Sequence, residues 1–257
     1  MDVEGTTVII TGAASGIGAA LARRFHAEGA AGLGLFDVQD GPLTELADEL
    51  GALAIVCDMA DEDAVAAAVE RVEAELGPVD LCCSNAGIGG GGGVELPTAE
   101  WQRAWDVNVM AHVHLARVLV PRWIDRGHGH LMVTASAAGL LTQLGSAPYS
   151  VTKAAAVSFA EWVTITYGDH GVTASALCPQ GVRTAMTVDM EDSVVALDGM
   201  LEAEAVADAV VEGLADGRFL ILPHPKVADY TARKGADRDR WIAGMRKLQR
   251  AFPDPVF

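Results

Sequence analysis

The chain has 257 residues, of which 51% are apolar and 21% charged, and its 35 acidic side chains outnumber 18 lysines and arginines. The apolar content excludes a disordered chain, and the length suffices for one large α/β domain with a buried core. A formal net charge of −17 repels phosphate and therefore disfavours nucleic acid as a partner.

Short apolar segments alternate with helical patterns along the chain. Strands are predicted at 8–10, 32–36, 54–57, 80–84, 131–135, 173–178 and 219–222, and helices at 16–28, 43–50, 61–76, 98–126, 149–167 and 202–214. The strands are almost continuously apolar, which is typical of a parallel sheet covered on both faces. We predict one α/β domain over 1–257, a Rossmann-type doubly wound parallel sheet of about seven strands with helices on both faces.

A glycine-rich segment, residues 11–18, joins the first strand to the first helix. Gly12, Gly16 and Gly18 permit a tight turn, a close approach to a pyrophosphate and close packing of the helix on the sheet. The helix N-terminus adds free amide groups and a partial positive charge. The segment predicts a dinucleotide-binding loop rather than a flexible turn.

Acidic side chains follow the second and third strands. Asp37 stands 19 residues after Gly18, where a carboxylate can accept hydrogen bonds from ribose hydroxyls and repel a 2′-phosphate. Because no Lys or Arg occupies 13–15 or flanks Asp37, we predict NAD rather than NADP; the other interpretation of Asp37 is a turn former. Asp58 either caps the next helix or reaches the adenine amino group, and the sequence leaves both roles open.

Tyr149 and Lys153 are four residues apart on a predicted helix and therefore share one face. A nearby ammonium and the positive ring of an oxidised nicotinamide would lower the tyrosine pKa from its ordinary value of about 10. Tyr149 could then act as a general base toward an alcohol or a general acid toward a ketone. Ser136, which follows the fifth strand, adds a hydroxyl at the same sheet edge and favours this interpretation over a surface contact.

With these motifs the chain resembles the short-chain dehydrogenase/reductase family over essentially its whole length. Residues 11–18 match TGxxxGxG, residues 85–87 match NAG and residues 149–153 match YxxxK. The family's catalytic asparagine and serine are matched by Asn108 and Ser136, and Ser136 precedes Tyr149 by the usual 13 residues.

The resemblance implies a role for each matched residue. Tyr149 would transfer the proton, Ser136 would hold the substrate oxygen, and Lys153 would bind the nicotinamide ribose and lower the pKa of Tyr149. Asn108 would hold a water on the proton path, and hydride would pass directly between substrate and nicotinamide without a metal. The implied cofactor-binding residues are Gly12, Ser15, Gly16, Ile17, Gly18, Asp37, Asp58, Met59, Asn85, Ala86, Gly87, Tyr149, Lys153, Pro179, Gly181, Val182 and Thr184, the last at the nicotinamide carboxamide.

Two positions depart from the family pattern. Gln180 replaces the usual glycine after Pro179, where it either changes the backbone beside the nicotinamide or reaches into the substrate pocket. Ser84 replaces the first asparagine of the usual Asn-Asn-Ala-Gly, which is a milder change.

The substrate signal comes from two segments. Five glycines at 89–93 predict a mobile rim. A substrate lid is expected near 185–200, where Met186, Val188, Met190, Val194, Val195 and Leu197 indicate an apolar pocket, whereas Asp189, Glu191, Asp192 and Asp198 disfavour an anionic carrier-bound substrate. We expect a hydrophobic secondary alcohol or its ketone, with a cyclic or steroid-like compound as one candidate.

The C-terminal tail, 223–257, carries eight of the 18 lysines and arginines between Lys226 and Arg250. We interpret it as a C-terminal helix whose charge is matched by the acidic body or by a neighbouring subunit, rather than as a basic ligand-binding arm. His112 and His114 are two residues apart on a helix and point to different faces, so no metal site is expected.

Cellular location follows from the cysteines and the N-terminus. The four cysteines stand in apolar segments without a CxxC pair, and Met1–Glu4 lacks the layout of a signal peptide. The uncharged stretch 127–152 contains scattered glycine, serine and threonine, which indicates a soluble core rather than a membrane span. We expect a cytoplasmic protein with no membrane partner.

Long apolar helices at 98–126 and 149–167 carry more apolar surface than one sheet face needs, and by the resemblance they would form a homodimer or homotetramer. Two alternatives to an active NAD-dependent dehydrogenase stay open. One is an NAD(H)-binding sensor or scaffold without turnover, which the presence of Ser136, Tyr149 and Lys153 disfavours. The other is a 3-oxoacyl-carrier reductase, which Asp37 and the acidic lid disfavour.

Overall fold

The computed structural model describes residues 1–188 and 190–252, and its centre is a parallel sheet of seven strands. The strands are β1 (Thr7–Thr11), β2 (Gly32–Asp37), β3 (Leu53–Val56), β4 (Leu81–Ser84), β5 (Gly129–Thr134), β6 (Val172–Leu177) and β7 (Leu220–Ile221). Their order across the sheet is β3-β2-β1-β4-β5-β6-β7. The order reverses direction between β1 and β4, which creates a crevice at the carboxyl ends of the strands. The predicted fold class is confirmed.

Helices cover both faces of this sheet. They are α1 (Gly16–Ala27), α2 (Asp40–Leu50), α3 (Glu62–Leu76), α4 (Thr98–Trp105), α5 (Ala111–Arg126), α6 (Ala137–Leu141), α7 (Ala147–Tyr167), α8 (Ala203–Ala215), α9 (Lys226–Ala236) and α10 (Arg238–Ala251). None of the helices in the described ranges is both long enough and apolar enough to cross a bilayer.

Side chains that point alternately to the two faces of the sheet divide the core into two layers. On β1, Ile9 faces α3, α5 and α7, whereas Val8 and Ile10 face α1, α2 and α8. Successive strand side chains point to opposite faces, so an unbroken apolar run fills both layers. All four cysteines are buried and unbridged, as expected, and burial raises the pKa of the Cys57 thiol to about 11 and that of Cys178 to about 12.

Three helical features differ from the predictions. The predicted helix 98–126 contains a π-helical turn, Asp106–Met110, between α4 and α5. The short helix α6 was not predicted, because five residues are too few for a periodic pattern. The C-terminal tail forms two helices rather than one: the chain is extended at Asp237, whose side chain accepts a hydrogen bond from the Arg240 amide at 2.9 Å and caps α10. Residues 253–257 of that predicted tail lie outside the described residues.

Candidate active site

The residues predicted to bind the cofactor converge on one groove of about 790 Å³ at the carboxyl ends of the strands. Loops that follow six different strands contribute to it, as expected for a doubly wound sheet. Its wall contains Gly12, Ser15, Gly16, Ile17, Asp37, Asp58, Met59, Asn85, Ala86, Gly87, Tyr149, Lys153, Pro179, Val182 and Thr184. Of the predicted set, Gly18 and Gly181 stand behind this wall rather than on it.

The glycine loop is packed against the loop that follows β4. Gly12 has φ +65°, and a Cβ atom on it would lie 2.9 Å from the Cα of Ala86. A Cβ on Gly18 would overlap the carbonyl oxygen of Gly12. The Thr11 hydroxyl accepts hydrogen bonds from the amides of Asn85 (2.9 Å) and Ala86 (2.8 Å). These contacts fix the loop before any ligand is bound.

Asp37 is buried at the end of β2 and holds the same loop. One carboxylate oxygen accepts a hydrogen bond from the Ala14 amide at 3.0 Å, and the other accepts one from the Gln39 amide at 3.0 Å. Each carboxylate oxygen has a further lone pair, so both retain the capacity to accept a ligand hydroxyl. The carboxylate therefore has a structural role in addition to the predicted one.

The structure separates the two roles considered for Asp58. The side chain of Asp61 caps α3 by accepting a hydrogen bond from the Ala64 amide at 3.0 Å. Asp58 instead accepts a hydrogen bond from the Ala60 amide at 2.9 Å and lines the groove. The position is compatible with the predicted contact to adenine.

Ser136, Tyr149 and Lys153 all line the groove. The Lys153 ammonium is buried, donates a hydrogen bond to the Thr134 carbonyl oxygen at 2.8 Å and lies 5.6 Å from the centre of the Tyr149 ring. Burial lowers the pKa of Lys153 to about 8. Burial raises the pKa of Tyr149 above its ordinary value of 10.0, and the interaction of its hydroxyl with Ser136 opposes this rise. The ligand-free site therefore keeps Tyr149 protonated at neutral pH.

Asn108 lies in the π-helical turn between α4 and α5 and is fully buried. Its side-chain oxygen accepts a hydrogen bond from the Ile88 amide at 2.8 Å, and its amide nitrogen donates to the Ile88 carbonyl oxygen (3.0 Å) and the Thr152 hydroxyl (3.2 Å). Asn108 thus joins the loop after β4 to α7. Because both polar groups of the side chain are engaged, its proposed contact with water stays a prediction.

A second cavity of about 780 Å³ opens beside the groove, and Ser136 and Gln180 stand on the walls of both. Its lining is mainly apolar and comes from α6, the following loop, the lid segment and the two C-terminal helices. The C-terminal part of this wall was not predicted; it includes Tyr230, Trp241, Met245 and Leu248. The last three have the i, i+4, i+7 spacing of one helix face, a signal that was obscured by the surrounding charges.

The C-terminal helices are held over this cavity by contacts with the rest of the fold. The ammonium of Lys234, on α9, donates a hydrogen bond to the carbonyl oxygen of Leu140, at the end of α6, at 2.6 Å. The tail therefore lines the candidate site, which was not predicted, while its Lys226 pairs with Asp198 of the acidic body as expected.

The lid segment is divided between the two cavities. Val194, Val195 and Leu197 line the apolar cavity, whereas Met186 lines the groove and Val188 is 64% exposed. Two of its acidic residues are paired: Asp198 with the Lys226 ammonium at 2.8 Å, and Glu191 with the Arg183 guanidinium at 3.4 Å. Asp189 lies outside the described residues. The pairing weakens the argument that acidic residues of the lid repel an anionic substrate.

The glycine run 89–93 is tied to the loop before α7. The Gly92 amide donates a hydrogen bond to the Gly145 carbonyl oxygen at 2.8 Å, and the Gly92 carbonyl accepts one from the Ala147 amide at 2.9 Å. Gly92 has φ +97°, which favours glycine. The segment predicted as a mobile rim is therefore anchored at Gly92.

A buried pair stands behind the site without belonging to either cavity wall. The Ser84 hydroxyl and His112 Nδ1 are 2.6 Å apart, and burial lowers the pKa of His112 to about 3, so the imidazole is neutral. Ser84, the milder departure from the family pattern, thus gains a partner on α5. Across residues 1–188 and 190–252, no cluster of His, Cys, Asp or Glu is arranged to hold a metal ion.

Comparisons with known proteins agree with this geometry. A family model described as short chain dehydrogenase matches residues 6–194. The chain is 35% identical to 1-deoxy-11-beta-hydroxypentalenate dehydrogenase of Streptomyces avermitilis over 245 residues, which cover 91% of this chain and 89% of that protein.

Two solved structures extend the likeness. A short chain dehydrogenase/reductase from Burkholderia phymatum in complex with NAD superposes with a TM-score of 0.86 at 29% identity, covering 93% of this chain and 96% of that one. A 7α-hydroxysteroid dehydrogenase complexed with NADH and 7-oxo glycochenodeoxycholic acid gives a TM-score of 0.78 at 25% identity. The match covers 86% of this chain and 92% of that one.

Proposed function

The chain belongs to the short chain dehydrogenase family, and from this premise we propose that it is an NAD-dependent oxidoreductase that interconverts an apolar, cyclic secondary alcohol and its ketone. One observation carries the proposal: Ser136 stands on the wall shared by a dinucleotide-sized groove and an apolar cavity, and Tyr149 and Lys153 line the same groove. Reacting groups from both cavities would meet at that wall.

The groove fits a nicotinamide dinucleotide. Ser15, Gly16 and Ile17, at the start of α1, line the groove, and their amide groups would bind the pyrophosphate. Asp37 would accept hydrogen bonds from the ribose hydroxyls. Pro179, Val182 and Thr184 would surround the nicotinamide. When bound, the cofactor supplies the hydride acceptor or donor, which is chemistry that protein side chains lack.

The chain's own residues would manage the proton. Tyr149 gives its hydroxyl proton to a ketone oxygen, or accepts the proton of an alcohol after losing its own. Ser136 donates a hydrogen bond to the same substrate oxygen and orients it toward Tyr149. Lys153 provides a buried positive charge 5.6 Å from the ring of Tyr149, which stabilises the tyrosinate.

Cofactor choice follows from charge at the end of β2. The buried carboxylate of Asp37 would repel the 2′-phosphate of NADP, whereas it would accept hydrogen bonds from the free ribose hydroxyls of NAD. The complexes of the two similar structures with NAD and NADH support this choice.

The apolar cavity supports a cyclic hydrophobic substrate. Its volume of about 780 Å³ falls within the range of sites for drug-sized ligands, and its wall is formed mainly by aliphatic and aromatic side chains. The relatives named as dehydrogenases of a hydroxypentalenate and of a 7α-hydroxysteroid support a secondary alcohol as the substrate.

A homo-oligomer is also proposed. Trp162 and Ile165, on α7, are 51% and 83% exposed, and a groove between α5 and α7 is lined by further apolar side chains. Exposed apolar surface of this extent is typical of a subunit contact.

The decisive experiment measures the appearance of NADH from NAD⁺ with a panel of cyclic secondary alcohols, for the wild type beside Tyr149→Phe. We expect turnover by the wild type, loss of at least about 1000-fold in the variant and similar NADH affinity in both. Tight NADH binding without turnover of any panel member would favour a cofactor sensor, and an equal loss of NADH affinity in the variant would contradict the role of Tyr149.

A further inference from the structure

Two arginines of the C-terminal helices stand on the wall of the apolar cavity without an ionic partner. They are Arg233, on α9, and Arg240, on α10. Within residues 1–188 and 190–252, neither guanidinium lies within 4.0 Å of a carboxylate oxygen. The guanidinium of Arg233 lies 5.9 Å from the centre of the Tyr230 ring, which belongs to the same wall. Both groups are therefore free to bind an anion that enters the cavity.

The other cations of the C-terminal helices are engaged elsewhere or stand off the cavity. The Lys226 ammonium pairs with Asp198 at 2.8 Å, and the Lys234 ammonium donates a hydrogen bond to the Leu140 carbonyl oxygen. Four further cations of the described tail are not part of the cavity wall: Arg238, Arg246, Lys247 and Arg250. The two arginines on the wall are thus distinguished from the rest by their position as well as by their lack of a partner.

The charges on this wall favour an anion, although the whole chain has a net charge of −17. Two carboxylates share the wall with the arginines. Asp198 is neutralised by Lys226, and one oxygen of Asp237 accepts the hydrogen bond from the Arg240 amide that caps α10, at 2.9 Å. Two guanidinium groups against one remaining carboxylate leave an excess positive charge. A guanidinium can hold a carboxylate by two parallel charge-assisted hydrogen bonds.

The arginines and the reacting groups belong to different parts of the cavity. Ser136 stands on the wall shared with the groove, whereas the arginines stand on α9 and α10, and the lining is mainly apolar. Building on the proposed function, we propose that Arg233 and Arg240 bind a carboxylate of the substrate. The substrate class is then an apolar cyclic hydroxy acid, whose ring hydroxyl is oxidised beside Ser136 and whose carboxylate takes no part in the reaction. Because both arginines are exposed, the carboxylate keeps part of its hydration, which limits the cost of desolvation.

The test compares hydroxy acids with their primary carboxamides, which have nearly the same shape but no charge. The probes are 4-hydroxycyclohexanecarboxylic acid, 6-hydroxydecalin-2-carboxylic acid and cholanic acids with one ring hydroxyl. We expect the wild type to show a kcat/KM at least about tenfold higher for one acid than for its carboxamide. The double variant Arg233→Gln/Arg240→Gln should reduce this ratio about tenfold and leave kcat/KM for the carboxamide nearly unchanged.

Two control variants separate the cavity arginines from the general charge of the tail. Arg246→Gln/Lys247→Gln removes the same charge from α10 off the cavity wall and should preserve the ratio. Arg233→Lys/Arg240→Lys keeps both charges and should retain most of the preference for the acid. An equal loss of preference in the Arg246→Gln/Lys247→Gln variant would overturn the inference and assign the preference to the long-range field of the tail.

The same probes keep this inference separate from the proposed function. If the wild type oxidises acids and carboxamides equally well, the proposed function holds and the inference fails. If the wild type oxidises no probe, the proposed function fails for this panel, and saturation-transfer NMR of the probes with the NADH-bound protein decides the inference. Binding of an acid above its carboxamide, lost in Arg233→Gln/Arg240→Gln, supports the inference; equal binding of the two, or binding of neither, overturns it.

Discussion

The Lys153 ammonium lies 5.6 Å from the centre of the Tyr149 ring, at a position set by its hydrogen bond to a main-chain carbonyl of β5. The i, i+4 spacing on α7 brings the two side chains to one face, and the strand then fixes the lysine. Burial disfavours the charged form of both groups, lowering one pKa and raising the other. The site thus stores an electrostatic cost that a bound dinucleotide could relieve.

That cost makes stability depend on pH. The pKa of Lys153 falls from 10.5 to about 8 on folding, so between these values the unfolded chain binds more protons than the folded one. The contribution of Lys153 to the free energy of unfolding therefore rises by about 3 kcal/mol in total as the pH increases from about 8 to about 10.5. Below pH 8, Lys153 destabilises the folded protein by this full amount. We expect Lys153→Met, without ligand, to be more stable than the wild type at pH 7, with a difference that shrinks above pH 8.

Urea unfolding of both proteins at intervals from pH 7 to 9.5 measures this difference. Groups common to the two proteins, including Tyr149, largely cancel in the comparison. A stability difference that does not change with pH would show that Lys153 has an ordinary pKa in the folded protein.

Removal of the Asp37 charge should change cofactor preference. Asp37→Asn preserves an acceptor for the Ala14 or Gln39 amide but no longer repels a 2′-phosphate, so the ratio of kcat/KM for NADP over NAD should rise about tenfold or more. Asp37→Ala, which loses both loop hydrogen bonds, should in addition weaken binding of both cofactors. Steady-state kinetics with each cofactor give the ratios, and a wild type that already prefers NADP would contradict the argument.

Much of the fold could be predicted because most strands are apolar runs, and a polar or glycine-rich segment follows most of them. The π-helical turn around Asn108 could not be predicted, since its sequence has no breaker and the contacts of Asn108 are with Ile88 and Thr152, which are distant in sequence. The break between α9 and α10 at Asp237 was not predicted, because the charged residues on both sides of it are typical of one continuous, solvent-exposed helix.

For the site, local motifs identified the groove, whereas the apolar cavity depends on contacts distant in sequence. Gln180 illustrates the limit: its departure from the family pattern was visible, but whether it altered the backbone or reached the pocket depended on where Asp198 and α9 lie. Similarly, the acidic lid residues look like a repulsive surface until Lys226 is found beside Asp198.

Gly18 offers a test of the loop geometry. A methyl group there would overlap the Gly12 carbonyl oxygen, so Gly18→Ala must displace the glycine loop or the start of α1. Overpacking of this kind costs about 1–3 kcal/mol, and we expect a lower Tm and at least about tenfold weaker NADH binding by fluorescence titration. Gly235→Ala on α9, with open space around the added methyl, is the matched control and should neither lower Tm nor weaken NADH binding, because alanine is the better helix former. Unaltered NADH affinity in Gly18→Ala would show that the loop does not hold the pyrophosphate.

The exposed apolar surface of α7 gives the last prediction. Ile165 is 83% exposed on a helix whose neighbour Trp162 is also half-exposed, and an aspartate placed inside a subunit contact would be buried without a partner. Ile165→Asp should therefore shift the sedimentation coefficient toward that of a monomer, at unchanged Tm if the substituted residue is free of intrachain packing. Val94→Asp, at a position that is 95% exposed outside α5 and α7, should leave the assembly intact. A wild type that sediments as a monomer at micromolar concentration would overturn the proposed oligomer, and equal dissociation by both variants would point to a general effect of added charge on an already acidic chain rather than to a contact through α7.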